Sequence, residues 1–132
     1  MMRYLLDTNH VSAALKRNRL LLDRLNAATD ADFGIAIPAI GELWFMVYNS
    51  ARIAENSNDL REALQDYRRW PFNSSAAMEF GKIKAELRRL GRPIQDVDVQ
   101  IAAIARTKKL TVLSDDAGFR FIAGLSTENW LR

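Results

Sequence analysis

The stretch Tyr4-Leu5-Leu6-Asp7-Thr8-Asn9 constrains the fold most strongly, because an apolar run ends abruptly at a carboxylate. A short run of this kind predicts a buried strand over residues 3–6. In an open α/β sheet, ligands bind in the crevice outside the carboxyl ends of the strands. Asp7 is therefore a candidate site residue, although an aspartate at this position can also begin a helix as its N-cap.

Short apolar runs alternate with stretches of helical periodicity along the rest of the chain. We predict strands over 33–37 and 110–113 and a last strand within 124–130. Helices are predicted over 11–25 (with a break near Asn18), 40–52, 59–69, 76–90 and 96–108, with a polar break over 53–58. This alternation indicates a three-layer α/β/α sandwich with a mainly parallel central sheet. The length favours a single domain over residues 1–132.

Composition excludes several classes of function. The chain has no cysteine, which rules out disulfides, thiolate zinc sites and cysteine nucleophiles. The longest strongly apolar run is too short to cross a bilayer and no signal peptide is recognisable, so we expect a cytoplasmic protein without a membrane partner. A net charge of +3 is compatible with a nucleic-acid partner but does not require one. No glycine-rich phosphate loop is present, which argues against an ATP- or GTP-driven enzyme.

Two acidic residues lie on helices that should face the core. Glu42 lies inside a largely apolar helix, where an ionised carboxylate needs either a partner or a path to solvent. Asp98 precedes Ile101 and Ala102 by three and four residues, which places it on the inward face of its helix. Asp96 fits a solvent-facing helix cap better. We therefore take Asp98 as the candidate for chemistry.

Asp115 and Asp116 directly follow the predicted strand over 110–113, and a simple turn is the alternative interpretation for them. Carboxylates that share one crevice repel one another and persist together only around a cation. Oxygen ligands, without cysteine and with a single histidine, favour Mg²⁺ or Mn²⁺ over Zn²⁺. Such a site binds phosphate oxygens and activates water, which predicts phosphodiester hydrolysis.

Taken together, these motifs resemble those of the PIN-domain ribonucleases, and more narrowly those of the VapC toxins of prokaryotic toxin–antitoxin pairs. The resemblance extends over essentially the whole chain. It rests on the order and spacing of the segments 5–9, 40–43, 91–94 with 98–103, 113–116 with Phe119, and 124–130. It departs from the family at Gln95, where glycine is frequent, and at Asp96, an additional acid.

The resemblance implies an endoribonuclease that depends on Mg²⁺ or Mn²⁺. The catalytic and metal-binding acids that it assigns are Asp7, Glu42, Asp98 and Asp116, with Asp115 as the alternative to the last. The spacing from Ser114 to Phe119 favours Asp116 over Asp115. Thr8, Asn9 and Ser114 match the small polar residues that support the acids.

The resemblance further implies RNA as substrate, a VapB-like antitoxin that covers the active site, and a toxin homodimer. Trp44, Met46, Tyr48 and Trp70 are available for interfaces, although large apolar side chains more often pack in the core. His10 is expected to be a loop residue with an ordinary hydrogen bond. Basic residues cluster around the third motif, where they contact either phosphate or solvent; they are Lys82, Lys84, Arg88, Arg89, Arg92, Lys108 and Lys109.

Three alternatives remain open at this level. They are a PIN-domain nuclease that processes RNA without an antitoxin, a binding module whose acids are structural, and a metal-dependent phosphatase for small substrates. An antitoxin-like gene immediately upstream would favour the toxin.

Overall fold

Five short strands form one sheet in the computed structural model, which describes residues 1–132. The strands are β1 (Arg3–Leu6), β2 (Asp32–Ala36), β3 (Arg68–Trp70), β4 (Thr111–Leu113) and β5 (Ser126–Glu128). Their order across the sheet is β3-β2-β1-β4-β5, and every neighbouring pair is parallel. The prediction of a mainly parallel sheet is confirmed.

Helices cover both faces of this sheet. Successive residues of β1 and β4 point to opposite faces, yet Leu5, Leu6, Val112 and Leu113 are all fully buried. The helices are α1 (Thr8–Leu15), α2 (Arg19–Ala27), α3 (Ile37–Tyr48), α4 (Ile53–Leu64), α5 (Ser74–Leu90) and α6 (Asp96–Lys108), and a short 3₁₀ helix spans Ala117–Phe121. The α/β/α sandwich is confirmed. None of these helices is both long enough and apolar enough to span a bilayer.

The order of the strands defines where a site can form. The chain runs outward from β1 to β2 and β3, then returns to place β4 on the other side of β1. Helices that leave the two sides of such a switch point diverge, which opens a crevice at the carboxyl ends of the two central strands. Asp7 follows β1, and the pair Asp115 and Asp116 follows β4.

The prediction of a polar break over 53–58 is wrong, because this segment forms the first half of α4. Ser57 is buried together with Leu60 and Leu64, so packing against the core overrides the polar composition of this segment. The same helix ends at Leu64 and not at residue 69, because Arg68–Trp70 pairs with β2 as an edge strand.

Two helix caps also differ from prediction. Asp96 does not cap α6, since the N-cap position is Gln95, and the Asp96 carboxylate instead pairs with Lys84 at 2.8 Å. Ser74 and Ser75 are possible caps of α5 by residue type, but the cap is Asn73, whose side chain accepts the N–H of Ala76. Gly91 ends α5 in the left-handed conformation, as its position in the sequence predicts.

Gly34 on β2 leaves space for the Trp70 indole on the neighbouring strand. A Cβ atom at this position would lie 2.5 Å from Trp70 Nε1 and 2.9 Å from the Arg68 carbonyl oxygen. We expect Gly34→Ala to lower the free energy of unfolding by about 1–3 kcal/mol, because the buried indole and the edge strand must move. Urea denaturation measures this change.

Gly81→Ala is the matched control, because a Cβ on this α5 residue meets nothing within 4 Å. Removing a helical glycine is expected to stabilise the protein by about 0.5–1 kcal/mol. Equal effects of the two substitutions would contradict the close packing of Gly34 against Trp70.

Candidate active site

An acidic pocket of about 340 Å³ opens at the carboxyl edge of β1 and β4. It is lined by Asp7, Thr8, Asn9, Glu42, Phe45, Met46, Gln95, Asp98 and Asp116. Four of these residues are carboxylates and none is a lysine or an arginine. The structure therefore brings together acids that lie up to 109 positions apart in the chain, from residue 7 to residue 116.

Asp7 both lines the pocket and caps a helix, so a position at the candidate site and a role as helix N-cap do not exclude each other. Its Oδ1 atom accepts the backbone N–H of His10 at 2.8 Å and so caps α1. The side chain is almost fully buried, with the residue 3% exposed. Its Oδ2 atom accepts no hydrogen bond from the protein, which leaves this oxygen available to a ligand.

His10 is a buried residue of α1 and not a loop residue, so that expectation is wrong. Its Nε2 atom accepts the backbone N–H of Trp130 at 3.2 Å. Because Nε2 accepts, the ring proton lies on Nδ1, which donates to Asp7 Oδ1 at 3.2 Å. His10 therefore links the candidate ligand Asp7 to the carboxyl-terminal segment, and no local pattern in the sequence signals a contact across 120 residues.

We expect His10→Ala to lower the free energy of unfolding by about 2–3 kcal/mol. The substitution leaves a cavity at a fully buried position and removes the acceptor of the Trp130 N–H. Chemical denaturation measures the loss. Asn9→Ala, at the exposed neighbouring position, serves as control and is expected to change stability by less than about 0.5 kcal/mol.

Asp98 lies in the first turn of α6 and forms no hydrogen bond or ion pair with the protein. Burial, together with the negative charges of Asp116, Asp7 and Glu42, raises the pKa of its carboxyl from 3.8 to about 6, and burial is the largest of these causes. The same three carboxylates line the pocket, so Asp98 responds to the field of the whole acidic group. A cation in the pocket would reverse this repulsion.

Asp116 lines the pocket, whereas its neighbour Asp115 does not. The Asp116 side chain caps the 3₁₀ helix by accepting the N–H of Gly118 at 2.8 Å. Ser114 Oγ in turn accepts the backbone N–H of Asp116 at 2.9 Å and so fixes the turn after β4. The supporting role of Ser114 at the site stays a prediction.

Thr8 follows Asp7 directly and is buried, and its supporting role stays a prediction. Its Oγ1 is the one buried side-chain polar atom that has no hydrogen-bond partner. Asn9 is exposed and lines the pocket beside it. An orphan hydroxyl in a carboxylate-lined pocket is an available partner for a bound ligand or water.

Glu42 reaches the pocket from α3, which carries exposed apolar residues around it. Phe45 and Met46, which line the same pocket, are 67% and 42% exposed, and Tyr48 is 61% exposed. Trp70 packs in the core as expected, and Trp44 is partly buried against the same core. For Met46 and Tyr48 the prediction of core packing is wrong, because both are exposed. The pocket therefore has an acidic interior and an apolar border along α3.

The donor set fits a hard divalent cation, since it offers four carboxylates and neither a cysteine thiolate nor a histidine imidazole. However, no three acidic or histidine side chains lie close enough to form a preassembled coordination shell. The carboxylates share a pocket and an electrostatic field without meeting at one point. The pocket is therefore suited to a cation by charge and chemistry, and binding would require side-chain adjustment.

Fold and pocket together define an α/β/α protein with a carboxylate-lined site at the switch point of a parallel sheet. A family model described as the PIN domain matches residues 4–125. The chain belongs to the PIN-domain family and, within it, to the VapC ribonucleases.

Individual relatives agree with this assignment. "Ribonuclease VapC2" of Haemophilus influenzae is 32% identical over 133 residues, which cover 99% of this chain and 100% of the relative. The "tRNA(fMet)-specific endonuclease VapC" of Salmonella typhimurium is 26% identical and covers 98% of this chain and 99% of the relative. The structure of VapBC2 from Rickettsia felis, bound to a DNA fragment from its promoter, superposes with a TM-score of 0.93 at 26% identity and covers 98% and 99% of the two chains.

Proposed function

We propose that this ribonuclease is the toxin of a type II toxin–antitoxin pair and cleaves RNA with Mg²⁺ or Mn²⁺ bound by Asp7, Glu42, Asp98 and Asp116. The observation that carries the proposal is a pocket with four carboxylates and no basic residue. Such a concentration of negative charge repels a phosphodiester unless a cation offsets it. Ribonuclease relatives along the full chain support RNA as the substrate.

The residues of the chain have distinct parts in this proposal. Asp7 is oriented by His10 and offers Oδ2, while Asp98 carries a charge that burial and the other three carboxylates disfavour and that a bound cation would offset. Asp116 approaches from the turn after β4 and Glu42 from α3. When bound, the metal would neutralise phosphate oxygens and activate a water molecule for attack on phosphorus, which breaks the P–O bond to the leaving nucleotide.

Cleavage of RNA with added Mg²⁺ or Mn²⁺, with and without EDTA, tests the proposal. We expect cleavage only with metal and restoration when excess Mn²⁺ follows the chelator. Transfer RNA belongs in the substrate panel because a relative carries a tRNA(fMet)-specific name. Cleavage that persists in EDTA, or hydrolysis of phosphomonoesters without cleavage of RNA, would refute the mechanism.

The apolar border of the pocket and the complexes formed by relatives support a protein partner. Phe45, Met46 and Tyr48 are exposed large apolar residues, a common feature of protein interfaces. Structures of VapBC complexes from Rickettsia felis and Salmonella typhimurium support a VapB-like antitoxin as the partner. We propose that this antitoxin covers the apolar border and that the protein is cytoplasmic. We also propose a homodimer, which light scattering would detect. Growth arrest on expression, relieved by the antitoxin, tests the toxin assignment.

A further inference from the structure

Two arginines and a phenylalanine form a cluster beside the acidic pocket. The Cζ atoms of Arg92 and Arg120 lie 4.4 Å and 5.0 Å from the centroid of the Phe121 ring. Both arginines are exposed, and neither forms an ion pair or a side-chain hydrogen bond. We call Arg92, Arg120 and Phe121 the arginine cluster.

The arginine cluster lies at the corner of the pocket that Asp116 forms. Arg120 and Phe121 belong to the 3₁₀ helix that the Asp116 carboxylate caps. A Cβ atom at Gly118 in this helix would lie 3.2 Å from Asp116 Oδ1 and 3.5 Å from Ile94 Cδ1. The loop that carries Ile94 and Arg92 therefore packs against the turn that carries Asp116.

The charges of this region are arranged so that the two arginines are free to bind an anion. Lys84, on the neighbouring helix, is paired with Asp96 at 2.8 Å, and Arg106 is paired with Glu86 at 3.1 Å. Stacking on an aromatic ring holds a guanidinium in place and leaves its N–H edge unpaired. An unpaired N–H edge next to a phosphodiester-cleaving pocket is suited to a phosphate group, which a guanidinium binds through two parallel hydrogen bonds.

We propose that Arg92 and Arg120, held over Phe121, bind two backbone phosphates of single-stranded RNA next to the phosphate cleaved in the acidic pocket. The inference rests on the proposed function, because it takes the acidic pocket as the place of cleavage. It adds the attraction that the pocket itself lacks, since the pocket is lined by acids alone among charged residues. The contacts are to the backbone, so the cluster contributes affinity and strand position without reading sequence.

Fluorescence anisotropy with a labelled single-stranded RNA of mixed sequence, in EDTA to prevent cleavage, tests the arginine cluster. We expect the double variant R92A/R120A to bind about tenfold more weakly than the wild type at low salt. The slope of log Kd against log salt should fall by roughly 1.4, since each phosphate contact on a single strand contributes about 0.7. Thermal unfolding of the same sample verifies that the variant remains folded.

The matched control is R19A/R69A, which removes the same charge from two exposed and unpaired arginines that lie outside both the acidic pocket and the basic residues around the third motif. Binding by this control should stay within about twofold of the wild type. Equal losses in the two double variants, or no binding by the wild type at low salt, would overturn the proposal. Metal-dependent cleavage is measured separately, so a wild type that cleaves RNA with no specific loss in R92A/R120A refutes the cluster alone. Conversely, a specific loss of binding without any cleavage refutes the nuclease mechanism alone.

Discussion

Replacing Asp98 by asparagine is expected to lower metal-dependent RNA cleavage by at least about 100-fold. A catalytic cation contributes several kcal/mol to the transition state, and about 1.4 kcal/mol corresponds to a factor of ten in rate. Asp98 lines the pocket and its pKa of about 6 reflects burial and the surrounding acids. The rate of cleavage at saturating Mn²⁺ measures the effect.

The same substitution is expected to stabilise the metal-free protein at neutral pH. Unfolding returns the Asp98 carboxyl from a pKa of about 6 to 3.8, so the folded protein binds more protons between these values. Its free energy of unfolding therefore falls as the pH rises from about 4 to about 6. Asparagine removes this dependence, and we expect a gain of roughly 1 kcal/mol at pH 7, after allowing for solvent screening of a half-buried group.

Asp96→Asn is the matched control for Asp98→Asn. Both residues lie in the first turn of α6, but Asp96 is exposed, paired with Lys84 and outside the acidic pocket. We expect this variant to retain cleavage within about threefold. Its stability should keep the full pH dependence of the wild type. A similar loss of cleavage in both variants would show that negative charge near the helix start matters, and not the position of Asp98.

Replacing Asp7 by alanine is expected to abolish cleavage as well, but with the opposite effect on stability. The alanine lacks the oxygen that caps α1 and the partner of the buried His10 ring. A lost cap costs about 1 kcal/mol and an orphaned buried donor a further 1–3 kcal/mol, so we expect a destabilisation of about 2–4 kcal/mol. Denaturant titrations of the metal-free protein measure the loss.

Two further variants separate the contributions of Asp7. Asp7→Asn retains an oxygen that can cap α1, so it should lose cleavage with less loss of stability than Asp7→Ala. Asn73→Ala removes the cap of α5, outside the acidic pocket, and should cost about 1 kcal/mol while cleavage is retained. An Asp7→Ala variant as stable as the wild type would contradict the capping and histidine contacts.

The opposite signs expected for Asp7 and Asp98 separate two ways of holding a carboxylate in a buried pocket. Asp7 is held by an N–H of its own helix and by an imidazole, so its position exists before any ligand binds. Asp98 has no such partner, and its burial is unfavourable until a cation or a proton offsets its charge. We therefore expect Asp98 to make the largest contribution to the pH dependence of the free energy of unfolding, which is measured with and without Mn²⁺.

The order of residue types along the chain determined the class of fold and the candidate residues of the site. Apolar runs of strand length, alternating with helical periodicity, are properties of consecutive residues, so the parallel sandwich was predictable. The position of Asp7 after β1 and the inward position of Asp98 on α6 follow from the same local periods. The absence of cysteine excluded thiolate ligands, and the acidic residues favoured oxygen ligands.

Only the tertiary structure decided which partners these residues meet, because those contacts join segments that are distant in the chain. The 53–58 segment became helical through burial of Ser57 and Leu60, which its polar composition does not predict. Asp116 lines the pocket and Asp115 does not, since the turn after β4 is set by a bond from the Asp116 N–H to Ser114. The strand end at Asp7 was predictable from six consecutive residues. The contact of Asp7 with His10, in contrast, depends on Trp130, which only the folding of the whole chain brings to His10.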